Sequence, residues 1–317
     1  MILVTGATGF VGNALVRRLG INAATGSIKV AVRRTDTVWL TNVKPVQVLD
    51  FSSTTDWSAA LQDVDQVVHL AARVHVMADQ SQDPLAEFRK MNVEATANLA
   101  RQAAAAGVGR FIYLSSVKVN GELTKSDQFF SADDEPAPED PYGLSKLEAE
   151  KALRQIASVT GMEMVIIRPP LVYGPGVKAN FQSMMHGLAR GIPWPLAAVT
   201  DNRRSLVALD NLVDLIVTCL NHPAAANQTF MVSDGEDMST ADLLKRMGEA
   251  QGTPARLFYT PIAALKLGAM LIGKQSVYQR LCGSLQVDIT KTCQLLDWTP
   301  PVSVDEGLRR AAIRAKR

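Results

Sequence analysis

Through the first half of the chain, short β-branched apolar runs alternate with longer stretches whose apolar positions recur at helical spacing. Ile2–Thr5, Ile28–Val32, Pro45–Leu49, Gln66–Leu70, Phe111–Leu114 and Met164–Ile167 read as strands, and Phe10–Leu19, Leu85–Ala106 and Tyr142–Thr160 as helices. Such alternation predicts an α/β fold, a doubly wound parallel sheet covered by helices on both faces. After Arg168-Pro169-Pro170 the pattern breaks into segments punctuated by Gly and Pro, with helices over Ala179–Arg190 and Thr240–Glu249. One domain over 1–168 and a smaller mixed C-terminal lobe over 169–317 are therefore expected. Leu206–Val207 and Thr229–Val232 read as strands that return to the first sheet or cover its edge, so parts of 205–233 rejoin the first domain.

Composition narrows the field. With 317 residues, 47% of them hydrophobic and 20% charged, the chain can fill a sizeable core. Its 33 basic and 31 acidic residues are scattered, giving a net charge of +2 and no block of like charge, so no nucleic-acid or membrane-surface tail is expected. Three cysteines far apart and four histidines argue against a metal site or a disulfide framework and point to a reducing, cytoplasmic setting. The first residues enter a glycine-rich turn directly, with no signal-peptide pattern. Ile262–Ile272 is interrupted by Lys266 and is much shorter than the roughly 20 apolar residues of a membrane span, so it reads as a buried or interface helix.

Two patterns carry chemistry. Thr5-Gly6-Ala7-Thr8-Gly9-Phe10-Val11-Gly12 comes after a strand and opens a helix, the context of a Rossmann dinucleotide-binding turn. Gly6 permits the turn, Gly9 lets backbone approach a pyrophosphate and Gly12 lets helix and strand pack closely, so Gly6, Thr8, Gly9, Phe10 and Val11 form the expected cofactor loop. The second strand ends in Arg33-Arg34, with Asp36 too far along to be the ribose carboxylate. Paired guanidiniums at that place suit a 2′-phosphate, which favours NADP(H); if they form a solvated turn or stack on adenine, NAD(H) fits as well.

In Tyr142-Gly143-Leu144-Ser145-Lys146 the phenol and the amine lie one helical turn apart on one face. An adjacent ammonium stabilises a phenolate and brings an otherwise weak acid towards a useful range, which makes Tyr142 an acid/base with Lys146 as partner. Lys146 would also hold the nicotinamide ribose. Phe111-Ile112-Tyr113-Leu114-Ser115-Ser116 ends a buried strand in two hydroxyls at the sheet edge that should face the ligand, and either serine could polarise a substrate oxygen.

On these residues the sequence resembles the extended short-chain dehydrogenase/reductases, the nucleotide-sugar epimerases, dehydratases and reductases, over nearly the whole chain. The resemblance implies that Ser116, five residues before Gly121, is the catalytic hydroxyl, with Tyr142 and Lys146 completing the set. It implies cofactor contacts at Asp50, Phe51, Leu70, Ala71, Ala72, Asn92 and Arg168, whereas His69 reads as a core histidine whose ring is satisfied by backbone. It further implies a UDP-sugar substrate bound by Asn180, Arg204 and Arg280, since an amide and a pair of guanidiniums suit ribose and diphosphate oxygens. Trp194, in a segment that resembles the one passing the nucleobase, is either a substrate contact or a packing residue of the small lobe.

The two residues directly after Ser116 narrow the reaction. Dehydratases of this type place Asp and Glu there, and Val117 and Lys118 stand in those positions. A 4-keto reductase and a 4-epimerase share the Ser/Tyr/Lys set. Arg33 and Arg34 tilt the expectation to NADP(H)-dependent reduction, and the segments Ser115–Gly121 and Arg168–Asn180 resemble bacterial reductases of a UDP-4-keto-6-deoxy-N-acetylhexosamine, which implies that substrate and a place in surface polysaccharide synthesis. The alternatives are a UDP-hexose 4-epimerase with bound NAD and a non-catalytic dinucleotide-sensing protein. A homodimer is expected through the helices at Leu85–Ala106 and Tyr142–Thr160.

Overall fold

The computed structural model describes residues 1–21, 27–35, 37–74, 83–125 and 127–315, so Asp36 lies outside the described residues. The main sheet takes its strands from β1 (Ile2–Thr5), β2 (Ile28–Val32), β3 (Val43–Gln47), β4 (Gln66–His69), β5 (Arg110–Leu114), β6 (Glu163–Arg168) and β9 (Thr229–Met231). They are hydrogen-bonded in the order β3-β2-β1-β4-β5-β6-β9, and every neighbouring pair is parallel. The order reverses between β1 and β4, the crevice where doubly wound sheets bind ligands.

Alternation along the strands assigns each side chain to one of two cores. Ile2, Val4, Val30, Ile112 and Val165 face a core built with Leu15 and Leu19 of α1 (Phe10–Ile21), Leu212 and Ile216 of α7 (Leu209–Asn221) and Leu296 of α11 (Thr290–Leu296). Leu3, Phe111, Tyr113 and Ile166 face the other, with Leu61 of α2 (Ser58–Leu61), Leu99 of α4 (Thr96–Ala105) and Leu153 of α5 (Pro141–Thr160). The run expected as one helix over Leu85–Ala106 is α3 (Pro84–Phe88), a π-helical turn over Arg89–Ala95, and α4. A third core joins α6 (Ala179–Ala189), α8 (Thr240–Gln251) and α12 (Val304–Ala315) through Phe181, Leu244 and Leu308.

The structure differs from the sequence pattern in three places. β3 begins at Val43, two residues earlier than expected, because Val43 is buried while Leu49 is 78% exposed; Pro45 is tolerated because β3 is an edge strand. The two returning strands part company. β9 joins the main sheet beside β6, but β8 (Leu206–Ala208) pairs with β7 (Leu171–Tyr173) in a separate two-stranded sheet. Finally, α9 (Ile262–Leu271) has no buried residue, so it is not a core helix. No helix among the described residues is long and apolar enough to cross a membrane.

Candidate active site

The turn between β1 and α1 is built around two close approaches. Gly6 has φ +68°, and a Cβ there would lie 2.7 Å from the Ala71 amide nitrogen, so the turn packs directly on the segment after β4. At Gly12 a Cβ would lie 2.1 Å from the Gly6 carbonyl oxygen, which fixes the helix against the turn. Thr8 and Gly9 are exposed and Phe10 and Val11 half-buried at the start of α1, where the first amides have no acceptor within the helix. Those amides and the helix dipole favour an anion, so the turn fits the pyrophosphate of a dinucleotide.

Around this turn the structure places the remaining expected cofactor residues. Leu70, Ala71 and Ala72 are half-buried at the end of β4. Arg33 and Arg34 are exposed at the end of β2, where the Gln47 side chain donates to the Arg33 carbonyl at 3.2 Å. Asp50 accepts from the Thr55 hydroxyl at 3.1 Å, and Phe51 packs edge-on to Trp57 with ring centroids 4.7 Å apart. Asn92 spends its amide on protein: its oxygen accepts from the Arg73 N–H at 2.8 Å, and its nitrogen donates to the Arg73 carbonyl and the Ser145 hydroxyl, both at 3.0 Å. It therefore pins the loop after β4 to α5 and positions Ala71 and Ala72.

Geometry corrects one expected cofactor contact and decides the role of Trp194. Arg168 is 2% exposed and lies within the protein, with Nε and Nη2 donating to the Glu150 carboxylate at 2.9 and 2.6 Å and Nη1 to Asn120 Oδ1 at 3.0 Å. It is a cross-link between β6 and α5, its guanidinium committed to protein acceptors rather than to a cofactor. Trp194 takes the packing alternative. Its ring lies over Gly187, where a Cβ would come within 2.6 Å of Cζ2, and its backbone exchanges hydrogen bonds with Arg256 and Phe258 at 2.8 and 3.0 Å.

Asp140 caps α5, accepting from the Gly143 N–H at 2.6 Å, with Pro141 at the first helical position. Lys118 forms ion pairs with Asp140 and with Glu122, the latter at 2.8 Å, and so ties the turn after Ser116 to the start of α5. A Cβ on Gly143 would lie 2.6 Å from the Lys118 carbonyl oxygen, so glycine is what allows α5 to start this close. These contacts bring Ser116, Tyr142 and Lys146 together. Ser115 and Ser116 have different surroundings: the Ser115 hydroxyl is buried and donates to Glu150 at 2.6 Å, while Ser116 is half-buried, its hydroxyl accepting from the Lys118 N–H at 3.3 Å and lying close enough to the Tyr142 phenol to act on its acidity.

The electrostatics depart from the expectation. Burial pushes the Tyr142 phenol well above its ordinary value, the Asp140 carboxylate adds to the rise, and the Ser116 hydrogen bond opposes it. Lys146 is buried, donates to the Leu114 carbonyl at 2.9 Å and sits 4.6 Å from the Tyr113 ring centroid and 5.9 Å from that of Tyr142. Burial pulls its ammonium down to about 7, with Glu150 partly opposing. In the protein alone, then, the amine is only partly charged at neutral pH and does not by itself bring the phenol down.

His69 is a core residue, but hydroxyls rather than backbone satisfy it. Its Nδ1 lies 2.7 Å from Thr5 Oγ1 and its Nε2 2.9 Å from Thr96 Oγ1, between the rings of Phe51 and Tyr113. Burial, with Lys146 nearby, lowers it to about 3. Glu150 was not among the expected residues, although it lies one further turn along the Tyr142–Lys146 face and the i, i+4, i+8 spacing signals it.

In the smaller lobe Arg204 lies within electrostatic reach of Arg280. Burial and the Arg280 guanidinium both lower Arg204, which donates to the Gly283 carbonyl at 3.1 Å, while Arg280 is exposed and donates to Ser276 of its own helix. Asn180 is exposed in the first turn of α6.

A glycine turn at a sheet reversal, beside a serine, a tyrosine and a lysine at one helix start, defines a dinucleotide-dependent enzyme of the short-chain dehydrogenase/reductase class. Residues 2–233 match the model of the NAD dependent epimerase/dehydratase family, and the chain belongs to that family. It is 47% identical over 314 residues to a UDP-glucose 4-epimerase of Vibrio cholerae, covering 98% of this chain and 94% of that protein. It is also similar, at 26% identity over 98% of this chain and 93% of the relative, to the N-acetyl-alpha-D-glucosaminyl-diphospho-ditrans,octacis-undecaprenol 4-epimerase of Escherichia coli O157:H7. The UDP-glucuronic acid 4-epimerase of Bacillus cereus, solved in complex with NAD, shares the fold with a TM-score of 0.79 at 22% identity, covering 99% of this chain and 96% of that one.

Proposed function

We propose that the protein is a UDP-hexose 4-epimerase that keeps its NAD bound between turnovers. The similarity that carries this reading is the 47% identity to a UDP-glucose 4-epimerase along almost the full length. It favours epimerisation over the net 4-keto reduction that Arg33 and Arg34 suggested, and NAD over NADP(H). Under this reading the two arginines, both exposed, are a solvated turn at the adenosine end.

NAD supplies a reversible hydride acceptor for C4 of the sugar. Tyr142 removes the proton from O4 as C4 is oxidised and returns it to the same oxygen when C4 is reduced from its other face. Ser116, close enough to the phenol to act on its acidity, holds that oxygen. Lys146, titrating near 7, places positive charge beside the phenolate while the proton is away and anchors the nicotinamide ribose. Gly6, Thr8, Gly9, Phe10 and Val11 would receive the pyrophosphate, Asp50 and Phe51 would contact the adenine, and Leu70, Ala71 and Ala72 would lie beside the cofactor. Arg204 and Arg280 bind the diphosphate of the UDP-sugar, with Asn180 at its rim. A homodimer packed through the helical run from Pro84 to Ala105 and α5 belongs to the same reading.

The test is incubation of purified protein with UDP-glucose or with UDP-N-acetylglucosamine and no added nucleotide. Conversion to the galacto epimer, with NAD released on denaturation, is expected. Absence of epimer together with NADPH-dependent consumption of a UDP-4-keto sugar would overturn the reading in favour of the reductase.

A further inference from the structure

Seven of the twenty large apolar residues exposed among the described residues fall within residues 258–272. Phe258, Tyr259, Leu267, Met270, Leu271 and Ile272 are all exposed, Leu271 at 79% and Ile272 at 68%, within residues 258–272. Lys266 is the one charged residue of α9, yet neither α9 nor the helix after it, α10 (Gln275–Cys282), has a buried residue. The pair is rooted in the lobe by Leu265 and Leu281, which lie partly buried against its core, and holds the rest of its apolar surface outward. An apolar helix held in this way implies an occupant for its outer face.

Charge identifies the occupant. From Gly252 to Val287 the chain has no Asp or Glu, whereas Arg256, Lys266, Lys274 and Arg280 are all exposed. A second copy in a two-fold dimer would set this patch against itself, cation facing cation, which costs rather than gains. An anionic lipid surface meets both demands, accepting the apolar side chains below the headgroups and the cations among them. The ten residues of α9 make a helix of about 15 Å, too short to span a bilayer and suited to lying in its interface.

We propose that α9 and α10 dock the protein on the anionic surface of a lipid bilayer.

The test uses the full chain and co-sedimentation with vesicles of phosphatidylcholine containing about one third phosphatidylglycerol, against vesicles of phosphatidylcholine alone. Binding to the anionic vesicles that weakens with added salt is expected. The double variant Leu271→Glu, Ile272→Glu should lose it, and Lys266→Gln with Lys274→Gln should weaken it about thirty-fold, each cation near an anionic surface contributing roughly 1 kcal/mol. Unchanged urea midpoints establish that these variants are folded. The proposal is overturned if the wild type ignores anionic vesicles, or if the Leu271/Ile272 variant binds them as well as the wild type. It is equally overturned if light scattering shows the wild-type mass halved in that variant, since the face would then join two copies of the chain.

Discussion

Gly143 is the residue at which two physical rules give opposite answers. As the third residue of α5 after its Asp140 cap, it occupies a helical position where alanine ordinarily adds about 0.5–1 kcal/mol of stability. In this structure a Cβ there would lie 2.6 Å from the Lys118 carbonyl oxygen and 3.1 Å from Asp140 Oδ1. Reaching an ordinary contact of 3.4 Å requires the start of α5 to retreat by about 0.8 Å. Overpacking of this kind costs about 1–3 kcal/mol, so Gly143→Ala should be destabilised by up to about 2.5 kcal/mol after the propensity gain is deducted, instead of being stabilised. The same retreat moves Tyr142 away from Ser116, and misplacement approaching an ångström costs on the order of 100-fold in rate. Urea unfolding and initial rates of UDP-glucose epimerisation measure the two effects. Gly268→Ala in α9 is the control: nothing lies within 4 Å of its Cβ, so it should gain about 0.5–1 kcal/mol. If Gly143→Ala matched Gly268→Ala in stability and kept wild-type kcat, the close approach of α5 to the Lys118 turn would be refuted.

Two further predictions concern buried charge. His69 titrates at about 3 when folded against 6.5 unfolded, so the unfolded chain binds the extra proton and stability falls as pH drops through that window, by about 2 kcal/mol between pH 6.5 and 4.5. His69→Gln should flatten that slope in urea midpoints measured against pH; parallel profiles would contradict the assignment. Arg168→Met leaves Glu150, 0% exposed, with Arg154 and the Ser115 hydroxyl as its remaining partners, and should cost about 3–5 kcal/mol, part of it regained by adding Glu150→Leu. A single-variant loss below about 1 kcal/mol would show that the cluster is not a coupled pair.

Two strands buried on both faces were legible to the residue, and the buried strands β4, β5 and β6 to within one residue at each end. Ile2–Thr5 and Ile28–Val32 are nearly uninterrupted apolar runs because helices cover them on both sides, and the structure bounds them identically. The turn of Gly6 and Gly12 and the Tyr142–Lys146 spacing were equally legible, since each is a local geometric requirement. Features that depend on distant contacts were not. The partner of Leu206 is a three-residue strand at Leu171, too short to leave a pattern. Arg168 reads as a cation at a strand end until α5 is seen to bring Glu150 against it. Apolar α9 reads as a buried or an interface helix because composition records what a helix prefers to touch, and the structure removes only the first alternative. Residue types alone left Ser115 and Ser116 open and the family resemblance chose Ser116, in keeping with the commitment of the Ser115 hydroxyl to Glu150.

The proposed chemistry rests on the Tyr142 phenol as the group that exchanges a proton with the sugar. The most direct measurement is kcat for UDP-glucose epimerisation by Tyr142→Phe, made alongside its urea midpoint and its content of bound dinucleotide. A fall of at least about 100-fold, with fold and dinucleotide retained, is the expected result for loss of a positioned acid/base. A kcat within a few-fold of wild type would contradict the account.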